Sequence, residues 1–266
     1  MKWSEKATAP YQVADQYCIC GSGDTMFEFL YFGSIFITRF GVGKDLMITN
    51  SNGSMKAGWN AYDGKLIAST PYYLSLSPSF FLKEGFCKGK AVSMDGGRYL
   101  CRLPIASHDG DPSLSCDYGI LQHWLNGQTF ESIQFFARQS HDNDSVVAIS
   151  NQRIQRGNVV KNNFSVSLIH EFNRRMEFAE FAFLPILEPI REYSPFALVE
   201  RPVVAVMPGE LIHGQLIEAS EYDLIVKLNT GKKELALGAW GKWLDDDIVL
   251  LDQEQMLNLY PDAIVS

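Results

Sequence analysis

Residues 222–231, Tyr-Asp-Leu-Ile-Val-Lys-Leu-Asn-Thr-Gly, decide how the C-terminal part of this chain is read. Leu224, Val226 and Leu228 recur at every second position, which puts them on one face of a strand, and Asn229-Thr230-Gly231 then supplies turn chemistry. Working outward, residues 203–206, 210–217, 233–237 and 247–251 read as further short strands. Pro208-Gly209, the 229–231 turn and Ala239-Trp240-Gly241 divide them. Strands this short and this closely spaced predict a small closed or half-closed β-barrel.

The charge supports a break ahead of that region. Residues 191–266 carry 6 Lys and Arg against 13 Asp and Glu, a net of −7, whereas the whole chain of 266 residues carries −8. The expected organisation is therefore a domain over 1–190, with 1–70 open to reading as a separate β lobe, and an acidic barrel over 191–266. By pattern, the long strand pair of the barrel resembles that of SH3-like and Sm-like barrels. At 46% apolar and 20% charged residues the composition is that of a globular protein, which excludes disordered, collagen-like and coiled-coil chains. A pI of about 5.2 disfavours a general electrostatic grip on nucleic acid or on an anionic membrane. Residues 26–40 are the most apolar run, yet Glu28 interrupts them and they fall short of the roughly 20 residues a bilayer needs. Met1-Lys-Trp-Ser-Glu5 lacks the pattern of a signal peptide. The five cysteines, 18, 20, 87, 101 and 116, are odd in number and irregular in spacing, so they read as free thiols of a cytoplasmic protein.

Within the first 190 residues, 29–40 reads as one aromatic and β-branched strand. Residues 54–60 and 65–68 form a hairpin on Asp63-Gly64, and 90–94 and 98–102 a second on Asp95-Gly96-Gly97. Residues 80–85 read as one helical turn stopped by Gly85. The clearest helix spans 115–127, capped by Ser115 or Asp117, with Ile120, Leu121, Trp124 and Leu125 as its apolar face. Residues 130–136 suit strand or helix, 145–149 a strand, 154–158 a turn, and 178–187 an extended piece ending between Pro185 and Pro189.

Residues 84–104, Glu-Gly-Phe-Cys-Lys-Gly-Lys-Ala-Val-Ser-Met-Asp-Gly-Gly-Arg-Tyr-Leu-Cys-Arg-Leu-Pro, carry a resemblance. It continues through the helix with Asp117 and Trp124, through Arg153-Ile-Gln-Arg-Gly157, and through Ala182-Phe-Leu-Pro-Ile-Leu-Glu188. Together these resemble small phage- and mobile-element-associated relatives of the formylglycine-generating enzymes, over about residues 70–190. The resemblance implies an α+β fold: a C-type-lectin-like core with few helices, followed here by the small, mainly β barrel. The chain departs from the family at Asn158, where a second glycine is usual, and at Ala182 and Leu184, where Gly and Arg are usual. It also has no cysteine after Cys116, whereas the oxidases of that family hold copper on a late cysteine pair.

No catalytic, cofactor or metal residues are assigned. His108-Asp109 with Asp111, and His141-Asp142 with Asp144, follow no recognised ligand spacing. Gly21-Ser-Gly23 and Gly41-Val-Gly43 are bare glycine pairs, and Asp245-Asp-Asp247 lacks the glycine of a calcium loop. What remains is a binding surface. The expected contacts are Asn143, Asp144, Arg153, Arg156, Asn158 and Lys161 in the 141–161 loop, the basic pair Arg174-Arg175, and Trp240 and Trp243 around the acidic barrel. The reading is a non-enzymatic binding protein of phage or mobile-element origin, presenting loops of a lectin-like scaffold to a protein partner such as a host defence complex or another host factor. The acidic barrel would serve assembly, including assembly of a homo-oligomer. Two alternatives stand beside it: a structural virion or assembly component, and a metal- or thiol-dependent enzyme with a site around Cys18, Cys20, His108 and Asp109.

Overall fold

A computed structural model describes residues 29–38, 45–52, 56–73, 76–106, 117–126, 132–139, 145–156, 159–168, 181–229, 235 and 237–262. Among these the chain is built mostly of strands, with two short α-helices and one 3-10 turn, Pro195–Leu198.

The first six-stranded sheet begins with β1 (Phe29–Tyr31), and a separate two-stranded hairpin follows from β2 (Ser34–Thr38) and β3 (Asp45–Thr49). The single strand expected over 29–40 is thus broken. Gly33 takes φ +65°, a conformation that ends β1 and turns β2 into a different sheet. Both predicted hairpins form. β4 (Gly58–Tyr62) and β5 (Lys65–Ala68) are joined by Asp63 and Gly64 at φ 50° and 69°, and β6 (Lys90–Met94) and β7 (Gly97–Arg102) by Asp95 and Gly96 at 49° and 92°. Positive φ at both central residues is what a tight turn between right-twisted strands requires. Between the hairpins lies α1 (Pro78–Lys83), whose cap Ser77 accepts the Phe80 N–H and whose end is followed by Gly85 at φ +83°.

The predicted helix forms as α2 (Tyr118–Asn126), with Ile120, Leu121 and Trp124 buried. Asp117 sits at its N-cap position, its carbonyl accepting the first helical bond from Leu121. A second, four-stranded sheet is ordered β11-β10-β9-β8, from β8 (Ile105–Ala106), β9 (Ser132–Gln139), β10 (Val146–Arg156) and β11 (Val159–Leu168). Residues 130–136, ambiguous in the sequence, fall largely on β9. The turn expected over 154–158 is narrower than that, because Ile154, Gln155 and Arg156 continue β10. β12 (Ile186–Pro189) closes the first sheet, pairing Ile186 and Leu187 with β5 on one side and β7 on the other, in the order β1-β4-β5-β12-β7-β6.

The C-terminal sheet contains β13 (Pro202–Met207), β14 (Glu210–Ala219), β15 (Asp223–Leu228), β16 (Gly241–Trp243), β17 (Ile248–Asp252) and β18 (Asn258–Pro261). All its pairings are antiparallel, in the order β16-β17-β15-β14-β13-β18. Leu224, Val226 and Leu228 point inward as the alternation requires. The strand expected over 233–237 lies largely outside the described residues, of which Leu235 and Leu237 pack on the core; β16 and β18 are strands beyond those expected.

Two hydrophobic clusters hold the molecule. The larger is aromatic, with Phe32 against Trp59 and Tyr99, and Phe81 touching Phe86, Phe136 and Phe183. The smaller lies inside the C-terminal sheet. β13 serves both: Val203, Ala205 and Met207 face the smaller cluster, while Val204 and Val206 face the larger. Tyr260 of β18 lies on the β6–β7 turn, where a Cβ added at Gly97 would come within 2.7 Å of its ring.

Candidate functional site

The long β10–β11 hairpin carries most of the predicted contacts that fall on described residues. The β9–β10 ladder ends at Gln152↔Ser132. Beyond it, among the described residues, β10 and β11 pair with each other at four more positions, from Arg153↔Asn162 to Arg156↔Val159. At the usual rise per residue this adds about 13 Å of ribbon. Arg153 and Arg156 stand on one strand of it and Lys161, opposite Ile154, on the other. Asn158, Asn143, Asp144, Arg174 and Arg175 lie outside the described residues, as do Cys18, Cys20, Cys116, His108 and Asp109.

The two tryptophans are placed differently. Trp240 is 3% exposed and belongs to the smaller core, and Trp243, on β16, is half-buried against it. Cys87 and Cys101 are both buried. Burial pushes the Cys101 thiol above its ordinary range, away from the reactive thiolate.

A polar cluster that the sequence did not announce lies on the face of the first sheet covered by α2. Arg102 of β7 is almost completely buried, and its guanidinium is ringed by oxygens. Nε faces Glu188 Oε1 at 2.7 Å, Nη1 the Leu103 carbonyl at 3.0 Å and Asp117 Oδ2 at 2.6 Å, and Nη2 Asp117 Oδ1 at 2.9 Å and Glu188 Oε1 at 2.6 Å. Asp117, fully buried, also accepts the Ile105 N–H at 2.7 Å and lies 3.3 Å from Lys65 Nζ. Burial alone would raise the Asp117 carboxyl. The hydrogen bonds and charge of Arg102 outweigh it, helped by Ile105 and Lys65, and hold the group below the usual carboxylate range. Lys65 also lines a shallow cleft of about 140 Å³, with Tyr62, Asp63, Gly119 and Ile120. The cluster joins four separate segments of chain, so its only sequence sign was Asp117, read as a helix cap.

A second unannounced pair is His213 with Asp262. The imidazole Nδ1 lies 2.9 Å from Asp262 Oδ2, the carboxylate buried and the ring partly exposed. The pair ties β14 to the residue after β18, across β13. Among the described residues, no group of three or more His, Cys, Asp or Glu is placed to hold a metal ion, and no helix is long and apolar enough to cross a membrane.

The fold and its polar clusters thus define a β-rich protein of few helices, with two hydrophobic clusters that both draw on β13. No family model, no curated protein and no solved structure matches the chain.

Proposed function

We propose that this protein is a non-enzymatic binding protein whose β10–β11 ribbon is the contact element for a protein partner. The observation that carries this reading is the ladder register, which sets Arg153, Arg156 and Lys161 on the β10–β11 hairpin beyond the last described β9 pair. A ribbon backed by a packed sheet gives recognition residues a fixed base while leaving them outside the core. Three cations there, on a chain of net charge −8, favour an acidic surface on the partner. The resemblance to phage- and mobile-element-associated proteins extends the proposal. The sheets up to β12 would be the lectin-like scaffold, the setting the cytoplasm of a bacterial host, and the partner a host defence complex or other host factor. The acidic C-terminal sheet would serve assembly.

The test is affinity capture from host lysate with the parent chain and with the triple variant R153E/R156E/K161E, side by side. One stoichiometric protein retained by the parent and lost by a folded triple variant supports the proposal. Equal retention by both chains removes the ribbon from the contact and overturns it.

A further inference from the structure

Among the described residues, the amide of Asn60 is buried with both of its polar atoms unmatched. It is 1% exposed, and neither Oδ1 nor Nδ2 has a hydrogen-bond partner in the protein. Strand alternation fixes where it points. Trp59, its neighbour on β4, turns toward Phe32, donating its indole N–H to the Phe32 carbonyl at 3.0 Å, so Asn60 turns to the opposite face with Tyr62. In the ladder that face also carries Ile67 and Lys65, the partners of Asn60 and Tyr62 on β5.

Helix α2 covers this face. Gly119 sits against the Tyr62 ring, where an added Cβ would lie 3.1 Å away, and Trp124 donates its indole N–H to the Ser69 carbonyl at 3.3 Å. Asn60 therefore lies between these two anchor points, under the middle of the helix. The cleft lined by Tyr62, Lys65, Gly119 and Ile120 opens one two-residue step along β4, about 7 Å away.

A buried carboxamide can form up to four hydrogen bonds, and leaving one wholly unpaired is costly enough that native proteins rarely do so. A molecule that satisfies Asn60 must offer both a donor and an acceptor and fit beneath a packed helix, and water does both. We propose that Asn60 is the polar floor of an internal hydration site between β4 and α2, and that it binds an ordered water exchanging through the Tyr62–Lys65 cleft.

The experiment is a nuclear Overhauser and rotating-frame measurement on the full chain, labelled with ¹⁵N, reading transfer from water to the Asn60 side-chain amide protons. Cross-peaks of the sign expected for a long-lived water, on amide protons protected from exchange, support the site. Absence of such cross-peaks on protected protons overturns it and needs no variant. Asn60→Leu supplies a second readout. A bound water makes this substitution lower the folding constant by about tenfold, because the hydrogen bonds between the amide and the water are lost. A variant as stable as the parent, or more so, overturns the proposal, because an amide that truly lacked a partner gains by becoming apolar.

Discussion

At Arg102 the hydrogen bonds and ion pairs run to the Leu103 carbonyl, Asp117 and Glu188, so this guanidinium binds the chain to itself. Removing one partner leaves a buried charge without compensation, whereas removing both takes away the two buried charges and leaves only the partly exposed Lys65 and Glu188, which water can reach. Asp117→Ala is therefore expected to cost about 3–5 kcal/mol in urea unfolding, and the pair Arg102→Met with Asp117→Leu to recover most of that loss. A second carboxylate behaves similarly. Asp95, at the β6–β7 turn, accepts the Gly33 N–H at 2.9 Å, the Ser51 N–H at 2.6 Å and the Ser51 hydroxyl. Burial would raise its carboxyl, but these bonds and Lys56 bring it below the ordinary range. A carboxyl lowered on folding adds stability above its unfolded pKa of about 3.9, and that part is lost as pH falls through the lower folded value. Melting temperatures should thus hold from neutral pH to about 5 and fall steeply below 4. Asp95→Asn should melt lower at neutral pH and lose less on acidification, and a parallel shift at all pH values would refute this. None of these roles could be read from the sequence. It gave Asp117 as a cap and Asp95 as a turn residue, both correct locally, but their partners lie on distant segments that no local pattern connects.

Among the elements, the readable ones are those whose signals are local. The two Asp-Gly hairpins, α1 with its serine cap and glycine stop, and α2 with its apolar face all carry their own turn or cap chemistry. The break between β1 and β2 does not, since Gly33-Ser34 sits inside an aromatic and β-branched run that looks continuous. Its necessity is clear only in three dimensions, where a Cβ at Gly33 would lie 2.4 Å from the Met94 sulfur with φ already at +65°. Gly33→Ala is accordingly expected to cost well over 1 kcal/mol in denaturant melts, from conformation and collision together. Gly85, at φ +83° but with open space around it, is the control: its alanine variant should lose about 1 kcal/mol and no more. Equal losses at the two sites would mean that the Met94 contact yields freely. The length of β10 was hidden for a different reason. Ile154-Gln-Arg156 is mostly polar and precedes a glycine, which reads as a turn, yet the ladder with β11 holds these residues extended. The stretch holding the candidate ribbon was thus taken for a loop.

For the whole molecule, the charge step near residue 190 and the run Pro-Val-Val-Ala-Val-Met of β13 give different kinds of information. The charge step marks a change of surface. The unbroken apolar run is the signature of a strand buried on both faces, and here the two faces belong to different clusters. Leu257 and Tyr260 add to the larger cluster from the same C-terminal sheet, and Asn258 Nδ2 donates to the Arg98 carbonyl at 3.3 Å. The sheets on either side of residue 190 therefore share a core, and their stabilities are coupled through β13. Val203→Asp buries a carboxylate in the smaller cluster and Val204→Asp places one in the larger, each without a cation to meet it. Calorimetry of the parent is expected to show one transition whose calorimetric and van't Hoff enthalpies agree. Both variants should lower that single transition as a unit. A fragment ending at residue 190 would expose the apolar surface that Val204, Val206, Leu257 and Tyr260 cover and should not melt cooperatively. Two separable transitions in the parent, with Val203→Asp moving only one of them, would instead show that β13 joins two independently stable units.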